Sequence, residues 1–231
     1  MSSTAPADGQ DTAPPESRRQ RQRRELTAEI IAIARRQLAD GGRAGVSWRG
    51  IAREVGMNPA SLYTYFASLD ELFTAMILES YGGLADALDA ALTDALGTRP
   101  DDGPGSLLAV TDAYRSWAID NPAQYNLIFT DQIPGYAAPQ DAGTVEAEVA
   151  VLRPLVRAFG LALGQDYSID GGPDGAPPGV LDHMLSTWGV LHGLVALEIN
   201  NHLPFVDDRS DLLTDAVLRV VGVDRHGSAR S

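Results

Sequence analysis

VSWRGIAREVGMNPASLYTYFASLDEL, residues 46–72, is a run of short helical signals punctuated by turn residues. A short helix is expected after Ser47, with Trp48, Ile51, Ala52 and Val55 on its inner face. Gly56 supplies a turn, and Asn58-Pro59 opens the next helix, because Asn caps free N–H groups and Pro at the first position sacrifices none. With Leu62 and Phe66 inward, helical geometry turns Ala60 and Thr64 outward, flanked by Ser61 and Tyr63. Ser68-Leu69-Asp70-Glu71 reads as a capping box. The helix it opens runs to about Leu96, roughly 28 residues or 42 Å at 1.5 Å per residue. Ala52 is small where the two short helices cross, and Gly56 sits where the chain reverses. This spacing suits a helix-turn-helix whose second helix enters the DNA major groove. Spacing alone also suits a plain helical hairpin in an all-α enzyme.

Upstream, Leu26, Ile30, Ile33, Ala34 and Leu38 share one face of a helix that stops at Gly41-Gly42. Arg18, Arg19, Arg21, Arg23 and Arg24 precede it as a basic arm, suited to a groove or phosphate contact beside a DNA-binding unit. The net charge of −13 hides this asymmetry. Residues 1–53 hold 10 Arg against 6 acidic residues, whereas residues 54–231 hold 8 Arg against 25. A local +4 on a body of −17 implies that only the head meets a polyanion. Residues 1–17, rich in Ser, Ala, Pro, Asp and Gly, are expected to be disordered and carry no signal peptide.

Downstream, helices are expected near 105–119, 122–132, 143–163, 178–202 and 209–221, separated by loops at 97–105, 134–143, 164–179 and 203–210. Asn121-Pro122 repeats the cap signature of Asn58-Pro59, and Pro154 should kink or split its helix. Helix 178–202 is apolar nearly all round, which implies burial on both sides. Leu181, Leu185, Trp188, His192, Val195 and Ile199 form one stripe, while Gly189, Gly193 and Ala196 form a small-residue track that admits another helix. With the last helix (Leu212, Leu213, Ala216, Val217 and Val220), it can make a four-helix dimer seam. Tyr114, Trp117, Tyr125, Phe129, Met184, Trp188 and His192 are the pocket candidates, although aromatics at helical spacing also make ordinary core.

The residues of 46–72, above all Leu62-Tyr63, Tyr65-Phe66 and Asp70-Glu71-Leu72, closely resemble the DNA-binding segment of the TetR family of bacterial transcriptional repressors, over about residues 24–84. Trp188-Gly189-Val190-Leu191-His192-Gly193-Leu194, Tyr114-Arg115-Ser116-Trp117-Ala118 and Asn121-Pro122-Ala123-Gln124-Tyr125 resemble the tryptophan–histidine–glycine C-terminal domain of one subgroup. The resemblance implies a homodimer that binds a palindromic double-stranded operator and lets go when a small molecule enters the larger domain. By position it implies that Ser47 contacts phosphate and that Arg49 reaches a guanine. Asn58, Ala60, Ser61 and Thr64 fall where operator-reading residues vary, and Tyr63 and Tyr65 match the pair that grips the backbone. Leu69 stands where the family usually has lysine, which removes one phosphate contact.

Chemistry is poorly served. There is no cysteine, and all 18 basic residues are arginine, so thiolate nucleophiles, Schiff bases and the P-loop lysine are excluded. His183, His192, His202 and His226 include no i, i+4 metal pair, and neither a Gly-x-Ser-x-Gly elbow nor a Gly-x-Gly-x-x-Gly fingerprint occurs. No apolar run reaches eighteen residues. The expectation is an all-α, cytoplasmic, non-enzymatic regulator without cofactor or metal. Its parts are a tail at 1–17, a DNA-binding domain at 18–68, a ligand-binding and dimerisation domain at 69–224, and a flexible end at 225–231. The alternative is an all-α small-molecule-binding protein with a vestigial DNA-binding head.

Overall fold

Helices alone form the regular structure among the described residues of this computed structural model, which are 17–130, 133–139, 142–165 and 180–222. The tails at 1–16 and 223–231 and most of the loop at 164–179 lie outside them. The chain divides into two compact units, Met1–Ala67 and Ser68–Ser231.

The first unit holds α1 (Arg18–Gly45), α2 (Trp48–Val55) and α3 (Pro59–Leu62). Its core is Ile30, Ala34, Ile51 and Leu62, all without exposed surface, with Ile33, Ala52 and Phe66 around them. Arg18 to Arg24 are not an arm before the helix, as expected, but its first two turns. Ser17 caps them by accepting from the Gln20 N–H at 3.2 Å, while Gln20 Oε1 accepts from the Ser17 N–H at 2.9 Å. The expected stop is real, because Gly42 (φ 59°, ψ −162°) breaks the helix in a conformation that a side chain would oppose. Gly56 (φ 75°, ψ 30°) makes the left-handed turn between α2 and α3.

The second unit holds α4 (Leu69–Thr98), α5 (Gly103–Asp120), α6 (Pro122–Phe129), α7 (Thr144–Ala162), α8 (Val180–Ile199) and α9 (Arg209–Val220). Leu84, Leu88, Val110, Tyr114, Tyr125, Ala158 and Val217 are fully buried at its centre. The start of α5 lies against the end of α7 so tightly that a Cβ on Gly103 would strike the Leu161 carbonyl group. Pro154 does not split α7; it is buried on the packed face with Val151, Leu155 and Ala158, and that packing carries the helix through. Asn121 does not cap α6. Its amide instead donates to the Trp117 carbonyl at 2.9 Å, satisfying the end of α5, which finishes one residue earlier.

For α8 the single chain supplies the burial of one side only. Thr187, Leu191 and Val195 are buried, but Leu185 and Leu197 on the other side are 55% and 41% exposed. One face packs on the core, and the other stands uncovered in the single chain.

Candidate DNA-reading face and ligand cavity

Two caps and one side-chain tie set the geometry of the helix-turn-helix. Ser47 Oγ accepts from the Gly50 N–H at 3.1 Å and so starts α2. Asn58 Oδ1 accepts from the Ala60 N–H at 2.9 Å and starts α3. Glu54 then ties α2 to α1, accepting from Gln37 Nε2 at 2.8 Å and from Arg36 at 2.7 Å. Those two hydrogen bonds, Gln37 first, hold its carboxyl below the usual range.

Arg24, Ser47, Arg49, Asn58, Ala60, Tyr63 and Thr64 are exposed, while Ser61 and Tyr65 are half-buried. Ser47 and Asn58 are thus spoken for as caps, and their side chains reach outward only with what the caps leave over. Trp48 is half-buried, and its indole packs on the Tyr63 ring with centroids 5.5 Å apart. Arg23 was unassigned in the sequence beyond its place in the arm. Its guanidinium donates to the Thr64 carbonyl at 2.8 Å and lies over the Tyr65 ring, 5.1 Å from the centroid. It therefore brackets the exit of α3 to the first helix.

The second unit contains a cavity of about 230 Å³. Phe129, Met184 and Trp188 line it, together with Tyr81, Glu148 and Thr187 and an aliphatic wall from α5, α7 and α8. The other pocket candidates stand elsewhere. Tyr114 and Tyr125 are fully buried, and their hydroxyls lie 3.1 and 2.9 Å from His192 Nδ1. Burial pushes the Tyr114 phenol well up, pushes Tyr125 up to about 12, and pushes His192 down. The phenols stay protonated, with the Tyr114 hydroxyl donating to the Tyr125 oxygen at 3.3 Å, so the two rings and the imidazole form one hydrogen-bonded cluster. This triad backs the cavity wall, since Trp188 stacks on His192 at 5.7 Å and 16°. Trp117 sits away from it, with Nε1 3.5 Å from where a Cβ on Gly83 would lie.

Tyr81 and Glu148 were not legible as cavity residues. They come from α4 and α7, and no local pattern marks them. Burial, with the Glu148 charge second, raises the Tyr81 phenol. A bidentate pair joins α5 to α8: Arg115 Nε and Nη2 donate to Glu198 at 2.8 and 2.6 Å. Among the described residues no cluster of His, Cys, Asp or Glu could hold a metal, and no helix is long and apolar enough to cross a membrane.

Comparison with known proteins adds two family matches. Residues 30–76 match the family described as bacterial regulatory proteins, tetR family, and residues 107–221 match the tetracyclin repressor-like C-terminal domain. The chain belongs to the TetR family of transcriptional regulators. It is 34% identical over 214 residues to the HTH-type transcriptional regulator Rv1816 of Mycobacterium tuberculosis, covering 84% of this chain and 86% of that one. Among solved structures it is similar to SCO4313, described as a regulatory protein, with a TM-score of 0.71 and 34% identity over 89% of this chain and 98% of that one. A tetR-family protein from Rhodococcus RHA1 shares the fold at a TM-score of 0.63 and 19% identity, over 90% and 99% of the two chains. These matches place the TetR-type helix-turn-helix in the first unit, and the C-terminal family domain in the unit that holds the cavity.

Proposed function

We propose that this TetR-family regulator is a cytoplasmic, non-enzymatic repressor that binds a palindromic operator as a homodimer and is released by a small molecule. In this reading residues 18–68 bind DNA, and residues 69–224 bind the ligand and the second subunit. The observation that carries it is a single chain with both an exposed helix-turn-helix face and an apolar cavity in a separate unit. Arg49 is exposed on α2 and has the fork that pairs with guanine O6 and N7. Ala60, Ser61 and Thr64 offer small groups to base edges, and Ser47, Tyr63, Tyr65 and Arg24 offer donors to phosphates. Asn58 adds what its cap leaves free. For the ligand, Phe129, Met184 and Trp188 supply contact surface, and Tyr114, Tyr125 and His192 hold the wall behind them. The uncovered face of α8 supports the dimer. Leu185 and Leu197 are exposed there, and Gly189 and Gly193 look onto open space where a second helix can approach closely.

Sequencing the DNA fragments that the purified protein retains, followed by footprinting, tests the reading. The expected footprint is an inverted repeat with half-sites about one helical turn, roughly 34 Å, apart or a multiple of it. A single unrepeated half-site overturns the dimer. Failure to retain any operator-length DNA favours a ligand-binding protein with a vestigial head.

A further inference from the structure

We infer that the cavity takes an apolar organic cation, a molecule with an aromatic or aliphatic body and one ammonium group, seated with the ammonium at the Glu148 and Tyr81 end. The inference rests on the reading of this cavity as the effector site and names the chemistry that it selects.

Size comes first. An apolar cavity of about 150 Å³ holds benzene, so about 230 Å³ admits a body of two fused rings or an equivalent chain. Charge comes second. Among the described residues, the lining contains no arginine and no histidine, and the one carboxylate there is Glu148. An anion would enter apolar walls with no donor of opposite charge to meet it, and it would face Glu148 as well. A cation meets an acceptor. Glu148 is exposed, so the carboxylate stands at the rim, hydrated until the ligand arrives.

The walls favour the same sign. Tyr81, Phe129, Phe159 and Trp188 all line the cavity, and Phe129 meets Tyr81 and Trp188 edge-on, at 6.2 and 5.8 Å between centroids. Ring faces carry negative charge density, so a desolvated ammonium is attracted to them in addition to the carboxylate. Tyr81 joins the two sets. Its phenol is raised first by burial and then by the Glu148 charge, which places the two groups within electrostatic reach of each other. The acidic balance of residues 54–231, 8 Arg against 25 acidic residues, draws cations toward this unit and turns anions away.

Three probes of matched shape separate the possibilities: 2-naphthylmethylamine, 2-naphthylmethanol and 2-naphthoate, titrated calorimetrically into the full-length protein at neutral pH. The amine should bind about tenfold more tightly than the alcohol, with the naphthoate weakest. In Glu148→Gln the amine should fall to the affinity of the alcohol, while the alcohol is unchanged. In Leu152→Trp, which fills the cavity from a half-buried wall position, all three should be lost with helix content preserved. Alcohol binding without preference for the amine overturns the inference and leaves the effector cavity standing. So does a preference that survives Glu148→Gln. Amine binding that survives Leu152→Trp belongs to the acidic surface and also overturns it. Failure of all three probes to bind overturns the effector reading itself.

Discussion

Each unit is clamped by an arginine–carboxylate pair, and the two clamps differ in their surroundings. Arg36–Glu54 in the first unit is open, with the side chains 61% and 37% exposed. Arg115–Glu198 in the second is largely hidden, at 19% and 11%. An exposed pair gains little because water already serves both charges, whereas a hidden pair becomes costly once one partner is gone. The small unit is therefore held by caps and a shallow apolar core, and its charges remain available to the outside. The large unit hides one ion pair, Arg115–Glu198, and the two phenols of Tyr114 and Tyr125. That division suits a surface that must meet a polyanion and a body that must keep a cavity in shape.

The largest expected effect tests the claim that the first unit keeps its charge for DNA. Arg18, Arg19 and Arg21 are exposed in the opening turns of α1, which hold no acidic residue. Cations at a helix N-terminus oppose the backbone dipole, so this crowding costs local stability that a polyanion would return. If all three meet phosphates in both subunits, changing them to Gln should flatten the log K against log salt slope by about 5 units. That corresponds to about three orders of magnitude of affinity between 50 and 200 mM salt. An unchanged slope means these turns are only solvated.

Arg115→Met comes next. It leaves Glu198 hidden and unpaired and should cost about 3–5 kcal/mol in urea unfolding. Arg36→Met should lower stability far less, because Glu54 keeps its Gln37 hydrogen bond and its exposure to solvent. Equal losses in the two variants would abolish the contrast between the clamps. Arg49→Ala should then weaken operator binding by about 1–3 kcal/mol and relax preference at one base pair. A uniform loss across all sequences would assign it to phosphate.

The smallest effect concerns Gly82 and Gly83 inside α4. A Cβ on Gly82 would meet nothing within 4 Å, and one on Gly83 would make ordinary contact with Trp117. Each change to Ala should therefore stabilise by about 1 kcal/mol in thermal unfolding. Gly103→Ala should destabilise, since its Cβ would strike the Leu161 backbone. If bending of α4 at this pair carries the ligand response, the double Gly82→Ala, Gly83→Ala variant should lose part of it, and full retention would show that the pair is not a hinge.

Caps and turns were legible because they are local: Ser47, Asn58, Ser68 and Gly56 each act within four residues of themselves. The capping box at Ser17 and Gln20 carried the same signal, but five arginines beside it read as an arm. Asn121 misled for the opposite reason, since its neighbour Pro122 starts one helix while its own amide finishes another. The apolar circumference of α8 was legible, but which side meets the chain's own core is set only by packing, which buries Thr187, Leu191 and Val195. Apolar cavity residues such as Phe129, Met184 and Trp188 could be named from composition. Tyr81 and Glu148 could not, because only the packing of α4 and α7 brings them together.

The placement of the tryptophans has an optical consequence. The sequence holds three, and they sit in three different surroundings. Trp48 rests on Tyr63 at the helix-turn-helix, Trp117 lies beside Gly83, and Trp188 forms part of the cavity wall while stacked on His192. Light emitted by Trp188 will sense both an occupant of the cavity and the protonation of the imidazole beneath it. Emission from Trp48 will respond to what covers Tyr63. Keeping one indole at a time, with phenylalanine at the other two positions, turns the protein into its own unlabelled reporter for either event.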